Sequence, residues 1–88
     1  MHPVIDQGEI EEIVNLARKY LEPYQPQTYR LQVIPEGVQR ENDWYYVLVE
    51  PSREDVRSYE FNSLLAEAEL DLQKAENRKV LLVPALPG

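Results

Sequence analysis

The chain has 88 residues, 43% of them hydrophobic and 28% charged, which is the composition of one globular domain over residues 1–88 and excludes a disordered chain. Sixteen acidic and nine basic residues give a net charge of −7. Because nucleic acids and anionic membranes attract basic surfaces, this charge disfavours both as partners.

A first helix is predicted from Asp6 to Glu22. Asp6 and Glu9 have the three-residue spacing of a capping box, which satisfies free backbone N–H groups at a helix start. The apolar residues that follow recur at helical spacing and form one face: Ile10, Ile13, Val14, Ala17 and Leu21. Pro23 ends the helix, because the residue before a proline avoids the helical conformation.

Two strands are predicted next, with a hairpin loop between them. Residues 27–35 alternate between two sets of side chains, and residues 44–50 are rich in aromatic and β-branched types. The polar segment 36–43 contains a glycine and is predicted to be the loop.

The second helix begins either at Ser52, which forms a capping-box pattern with Asp55, or near Tyr59. Its apolar residues recur at three- and four-residue steps before Asn77: Phe61, Leu65, Ala68, Leu72 and Ala75. The short apolar run 80–83 predicts a third strand, at an edge of the sheet.

The order α-β-β-α-β predicts an α+β fold, a two-layer sandwich with both helices on one face of a three-stranded sheet. Two strand orders are compatible with it. If the first strand is central, the third runs antiparallel to it, as in half of a ferredoxin-like split βαβ unit, and this order is favoured. If the second strand is central, the second and third strands form a parallel pair.

Residue types that carry chemistry are scarce. The three glycines form no phosphate-binding loop, the single histidine is His2, and no cysteine is present to act as nucleophile or metal ligand. Neighbours in the set Glu67, Glu69 and Asp71 are two residues apart, so on a helix each points about 200° away from the next and the three do not converge. We therefore expect no catalytic, cofactor-binding or metal-binding residue, although the sequence leaves open a pair of carboxylates elsewhere.

The candidate partner-binding surface is the side of the sheet that the helices leave uncovered. If the helices cover the side of Leu31 and Val47, the other side carries a mixed set: Arg30, Gln32, Ile34, Trp44, Tyr46 and Leu48. Tryptophan, tyrosine and arginine are the usual anchors of protein interfaces. The alternative is that Trp44 and Leu48 belong to the core.

A second apolar stripe is predicted on the second helix, opposite its core side: Val56, Tyr59, Ser63, Ala66 and Leu70. The third strand adds to it, because apolar residues occupy both of its sides although it lies at an edge. Together the stripe and the strand predict self-association.

The leading hypothesis is a non-enzymatic protein-interaction module that self-associates and docks a protein partner, or a second copy, through the uncovered side of its sheet. The alternative is a small-molecule or peptide-binding domain in which Arg30, Tyr46 and Glu50 line a groove formed on dimerisation. The lack of cysteine and of a secretory signal predicts a cytoplasmic protein. The lack of an apolar run near ~20 residues and the net charge of −7 predict no membrane partner, and the same charge predicts no nucleic-acid partner.

Overall fold

The computed structural model describes residues 6–85, so His2 and the tail after Ala85 lie outside the described residues. The elements are, in chain order, α1 (Gln7–Leu21), a 3-10 helix (Glu22–Tyr24), β1 (Leu31–Glu41), β2 (Trp44–Pro51), α2 (Ser58–Glu76) and β3 (Val80–Pro84). The predicted element order and the α+β class are confirmed.

The central strand is β2, with β1 antiparallel on one side and β3 parallel on the other. The expectation that the first strand is central, as in half of a ferredoxin-like unit, is therefore wrong, and the second of the two orders is adopted. Pro35 explains why β1 belongs at an edge. A proline has no N–H to donate, so a strand paired on both sides would lose a ladder hydrogen bond there.

β1 runs well into segment 36–43, which was predicted to be the hairpin loop. Its register against β2 shifts between Ile34 and Gln39, where β1 bulges. The turn itself is formed by Asn42 and Asp43, and Asn42 adopts a φ of 57°, a left-handed conformation that asparagine tolerates better than most residues. The polar composition of the segment belongs to an exposed edge strand rather than to a loop.

α2 begins at Ser58, close to the later of the two predicted starts. Ser52 does not cap a helix because it continues the β ladder: its N–H donates to the Arg30 carbonyl oxygen at 2.9 Å, and its hydroxyl accepts from the Arg30 N–H at 2.8 Å. Asn77 ends α2 in a left-handed conformation with a φ of 52°. Asp6 stands at the N-cap of α1, but its side chain makes no capping hydrogen bond, so the predicted capping box is not formed.

One hydrophobic core lies between the helices and one side of the sheet. The sheet and the segment before it contribute Tyr29, Leu31, Val38, Val47, Val49, Val80 and Leu82. The helices contribute Ile13, Val14, Ala17, Leu21, Phe61, Leu65, Ala68 and Leu72. The burial of Leu31 and Val47 confirms which side of the sheet the helices cover, and it is consistent with a two-layer arrangement. Trp44 and Leu48 are half-buried on the opposite side, so the interpretation of them as core residues is wrong.

Candidate functional site

The side of the sheet opposite the helices, which we call the open face, carries apolar side chains that are partly exposed. Its members are Gln32, Ile34, Gln39, Glu41, Trp44, Tyr46, Leu48, Glu50, Leu81 and Val83. Strand pairing places Leu48 between Ile34 and Val83 in one row and Tyr46 beside Leu81 in the next. The apolar members are all half-buried, and they form one continuous patch across three strands.

A shallow groove of about 240 Å³ lies on the open face. Its lining residues come from all three strands: Gly37, Gln39, Glu41, Tyr46, Leu48 and Val83. The β1 bulge forms one wall, because the Gly37 backbone approaches Leu48 so closely that a Cβ on residue 37 would lie 2.5 Å from Leu48 Cδ1. Only glycine fits this bulge without displacing Leu48.

Four charged side chains border the two ends of the open face. Arg30 and Glu50 lie at the end where β1 begins, and Glu41 and Lys79 lie at the opposite end, as the alternation along each strand places them. These four charges cancel, whereas the whole chain carries −7. The open face is therefore an apolar centre between two charged ends, where Arg30 also lies 3.4 Å from Glu22 and Lys79 lies 3.8 Å from Asp43.

The start of the β1 edge of the sheet is closed by a side chain of the same molecule. The Gln25 amide imitates a residue of a neighbouring strand: its Oε1 accepts from the Leu31 N–H at 2.8 Å, and its Nε2 donates to the Leu31 carbonyl oxygen at 3.1 Å. Further along the strand, Pro35 has no N–H to offer to an added strand. Strand addition at this edge is disfavoured.

The β3 edge is closed in the same way by α2. Glu69 accepts from the Leu82 N–H at 2.8 Å, and Gln73 donates to the Val80 carbonyl oxygen at 3.0 Å. Pro84 again removes a donor from the outer side of the strand. The outer edge of β3, whose apolar residues predicted self-association, is therefore already hydrogen-bonded to α2. The partly exposed apolar side chains of β3, Leu81 and Val83, lie on the open face instead.

Five of the predicted partner-binding residues lie on one side of the sheet. Trp44, Tyr46 and Leu48 are half-buried on β2, Gln32 is exposed on β1, and Arg30 is exposed just before β1. Their grouping on the uncovered side agrees with the predicted alternation. Their role in binding stays a prediction.

The remaining predicted partner-binding residues lie on the outer side of α2, away from the sheet. Tyr59 is 85% exposed and Leu70 is 53% exposed, and Ala66 between them is also exposed. Val56 precedes α2 and packs against the core, so it is not part of this stripe. Because the opposite side of α2 contributes Phe61 to the core, the stripe and the open face are separate surfaces.

Several open-face residues are not singled out by the sequence pattern. Gln39 and Glu41 fall in the segment predicted to be a loop, and the glycine inside it was the available signal of a bulge. Leu81 and Val83 join the face only through the parallel pairing of β3 with β2. The sequence signal for Leu81 and Val83 was that apolar residues occupy both sides of the short strand at residues 80–83.

The residues predicted to line a ligand groove are not brought together. Tyr46 lines the groove on the open face, whereas Arg30 and Glu50 lie outside its lining, at one end of the face. The polar side chains that line the groove are Gln39, Glu41 and Tyr46.

A charged cluster surrounds Tyr45 on the covered side of the sheet. Tyr45 donates to Glu9 Oε2 at 2.8 Å, and this hydrogen bond is the main cause that raises the pKa of the Tyr45 phenol. The guanidinium groups of Arg40 and Arg78 lie 5.6 and 5.8 Å from the ring centre. Arg78 also donates to Glu12 at 2.7 Å, which raises the pKa of Arg78. These opposite charges compensate one another, and the cluster ties α1 to the sheet.

Residues 6–85 include no group of three or more histidine, cysteine, aspartate or glutamate side chains placed to hold a metal ion. In the same part of the chain, no helix is both long enough and apolar enough to cross a membrane. No protein-family model, curated protein or solved structure matches the chain. Function must therefore be inferred from the open face itself.

Proposed function

We propose that this protein is a non-enzymatic interaction module that self-associates through its open face. The observation that carries the proposal is the apolar centre of that face, which no element within residues 6–85 covers. Its half-buried apolar members are Ile34, Trp44, Tyr46, Leu48, Leu81 and Val83. A continuous exposed apolar patch of this kind is typical of an interaction surface, and its aromatic residues are typical anchors.

The closed edges favour association through the face. A sheet recruits a partner either by adding a strand at an edge or by packing one face on another. Gln25 occupies the backbone groups of Leu31 at one edge, and Glu69 and Gln73 occupy those of β3 at the other. Face-to-face packing is therefore favoured over strand addition at these positions.

The charge of the open face is compatible with a second copy as the partner. Arg30 and Lys79 offset part of the negative charge at the ends of this face, so two copies repel each other less here than a net charge of −7 on each chain implies. The footprint of three strands, the central one 8 residues long, is about 400 Å² per copy. This is small for a specific interface, so we expect a dimer that dissociates in the micromolar range.

Sedimentation equilibrium at tens of micromolar tests the proposal. The wild-type mass should rise with concentration from 10.3 kDa toward twice that value. Trp44→Ala should weaken the dimer at least ~30-fold, because an interface tryptophan contributes about 2 kcal/mol or more, and the chain should stay folded. Tyr59→Ala, which removes an exposed aromatic from α2, should leave the dimer unchanged. If Tyr59→Ala or Leu70→Glu dissociates the dimer and Trp44→Ala does not, the interface is the α2 stripe and the proposal is wrong.

A second candidate function, small-molecule or peptide binding, is favoured by the groove beside Gly37. At about 240 Å³ it is smaller than the roughly 300–1,000 Å³ of most ligand pockets, which makes this the weaker candidate. A compound that raises the unfolding temperature while the mass stays at 10.3 kDa would support ligand binding over self-association.

A further inference from the structure

We infer that Glu69 and Gln73, which we call the blocking pair, keep the outer edge of β3 from pairing with the same edge of a second copy. The β3 edge is a different surface from the open face, so the role of the blocking pair does not depend on the proposed function. The direction of the backbone groups along β3 explains why the block takes two side chains.

The backbone groups of β3 alternate between β2 and the outer edge of the sheet. Lys79 and Ala85, which flank β3, both bond to β2: the Lys79 carbonyl oxygen accepts from a β2 N–H at 2.9 Å, and the Ala85 N–H donates to a β2 carbonyl oxygen at 2.9 Å. Because alternate residues of a strand direct their backbone groups to opposite sides, Val80, Leu82 and Pro84 direct theirs outward. These three residues form the outer edge.

The blocking pair occupies one backbone group on each of the two outward residues that have both. Glu69 accepts from the Leu82 N–H at 2.8 Å, and Gln73 donates to the Val80 carbonyl oxygen at 3.0 Å. An added antiparallel strand needs the N–H and the carbonyl oxygen of the same residue, and its backbone would lie about 4.8 Å from β3, where these two side chains are. Pro84 has no N–H at the third outward position.

The packing of α2 holds the blocking pair in place. Glu69 and Gln73 are four residues apart, so they project from the same side of the helix. The residues that precede them, Ala68 and Leu72, are buried in the core and fix the orientation of α2 over the sheet. Glu69 and Gln73 themselves are half-buried and lie outside the core, so their replacement leaves no core cavity.

The edge that is blocked has the composition of a strand that pairs readily. Residues 80–83 are valine, leucine, leucine and valine, an uncharged run of high strand propensity, and such a run at an open edge is a template for another chain. A second copy presents the same run at the same concentration, so it is the partner that the block excludes. If the face and the edge could both associate, each chain would have two interfaces and assembly would continue beyond a dimer.

The double variant E69A/Q73A tests the inference. It frees both backbone groups, and alanine is the best helix former, so α2 and the fold should persist. Sedimentation velocity at tens of micromolar should show species heavier than twice 10.3 kDa for E69A/Q73A and none for wild type. Circular dichroism and urea unfolding establish that each variant is folded. The single variant Glu69→Ala repeats the test with a smaller perturbation and should show the same heavier species at higher concentration.

Two controls separate hydrogen bonding from charge. N62A/E67A also removes one amide and one carboxylate from α2 and changes the net charge from −7 to −6, but both residues are exposed side chains of the helix. Glu69→Gln removes the same charge and keeps an acceptor oxygen for the Leu82 N–H. Both controls should sediment as wild type does. If either forms the heavy species of E69A/Q73A, reduced charge repulsion is the cause and the inference is wrong.

Trp44→Ala distinguishes the β3 edge from the open face. Adding E69A/Q73A to Trp44→Ala should raise the mass above that of Trp44→Ala alone at the same concentration, because edge pairing does not use the open face. If the folded triple variant has the same mass as Trp44→Ala, the β3 edge does not pair when it is freed and the inference is wrong. That result leaves the proposed function standing, because it rests on the wild-type mass and on its loss in Trp44→Ala.

Discussion

The two sides of the sheet are built from the same strands but differ in what covers them. Val47 and Val49 are fully buried, whereas Tyr46 and Leu48, which alternate with them on β2, are half-buried. When a single chain folds, the helices bury the apolar area of the covered side, and this burial stabilises the monomer. The open face keeps apolar area in water, and that area is available for association. Substitutions one residue apart should therefore separate folding from association.

Leu82 and Leu81 provide the largest expected difference between the two sides. They are identical side chains next to each other on β3, but Leu82 is 5% exposed in the core and Leu81 is half-buried on the open face. Leu82→Ala should lower the free energy of unfolding by about 2–5 kcal/mol, because it leaves a cavity in the core. Leu81→Ala should lower it by about 1 kcal/mol or less and should weaken the dimer.

Urea unfolding at a concentration where monomers predominate, followed by sedimentation of the same samples, measures both effects of the leucine pair. Equal losses of unfolding free energy in Leu81→Ala and Leu82→Ala would show that the two sides do not differ in their contribution to folding.

Gly37→Ala should have an intermediate effect, because it places a methyl group between the bulge and the open face. The new Cβ would lie 2.5 Å from Leu48 Cδ1 and 3.0 Å from Leu48 Cβ, so β1 and Leu48 must move apart. We expect a loss of about 1–3 kcal/mol of unfolding free energy, as for other overpacked sites. The double variant G37A/L48A should lose less than the sum of the two single variants, because Leu48→Ala removes the clash.

Gly8→Ala is the control for the glycine substitution. Gly8 lies in α1, where the nearest atom to a new Cβ is Asp6 Oδ2 at 3.3 Å, and alanine favours a helix over glycine by about 0.5–1 kcal/mol. Thermal unfolding should therefore show a neutral or stabilising change at Gly8. A strictly additive G37A/L48A variant would mean that Leu48 does not set the requirement for glycine.

The smallest expected effect is a pH dependence of the unfolding free energy, which arises from a hydrogen bond between the two helices that cover the sheet. Tyr20 of α1 donates to Glu76 of α2 at 2.5 Å, and this hydrogen bond is the largest cause both of the raised pKa of Tyr20 and of the lowered pKa of Glu76. The contribution of Glu76 is present above its usual pKa of 4.5 and is lost as the pH falls through its lower pKa in the folded state. The contribution of Tyr20 is present below its usual pKa of 10.0 and is lost as the pH rises through its higher pKa in the folded state.

Unfolding free energies measured in urea from acid to alkaline pH should therefore decline at both extremes. Tyr20→Phe should flatten both declines, because it removes the bond that shifts both groups. Tyr59→Phe, at a tyrosine that is 85% exposed, should leave the curve unchanged. If Tyr20→Phe has no effect on the shape of the curve, this link between α1 and α2 does not contribute to the pH dependence.

Elements with strong local signals follow from the sequence, whereas only the first part of β1, residues 31–35, does. The helical spacing and Pro23 place the end of α1, and the aromatic and β-branched run places β2, because both signals act over a few residues. Gly37 and the polar residues after it have the composition of a loop. Their strand conformation depends on pairing with β2 across the bulge, which no local pattern encodes. The preference for a central first strand fails for a related reason, since the missing donor at Pro35 matters only once both neighbours of the strand are known.

The residues of the open face likewise divide into those that the sequence places and those that only tertiary structure places. The sequence alone determines that Trp44, Tyr46 and Leu48 share one side, because side chains alternate along a strand whatever it pairs with. Tertiary structure decides that Val83 lies beside Leu48, since a parallel neighbour is chosen by the crossover through α2. It also decides that the β3 edge and the start of the β1 edge are closed, because the contact between Gln25 and Leu31, like those made by α2, exists only after distant segments have packed together.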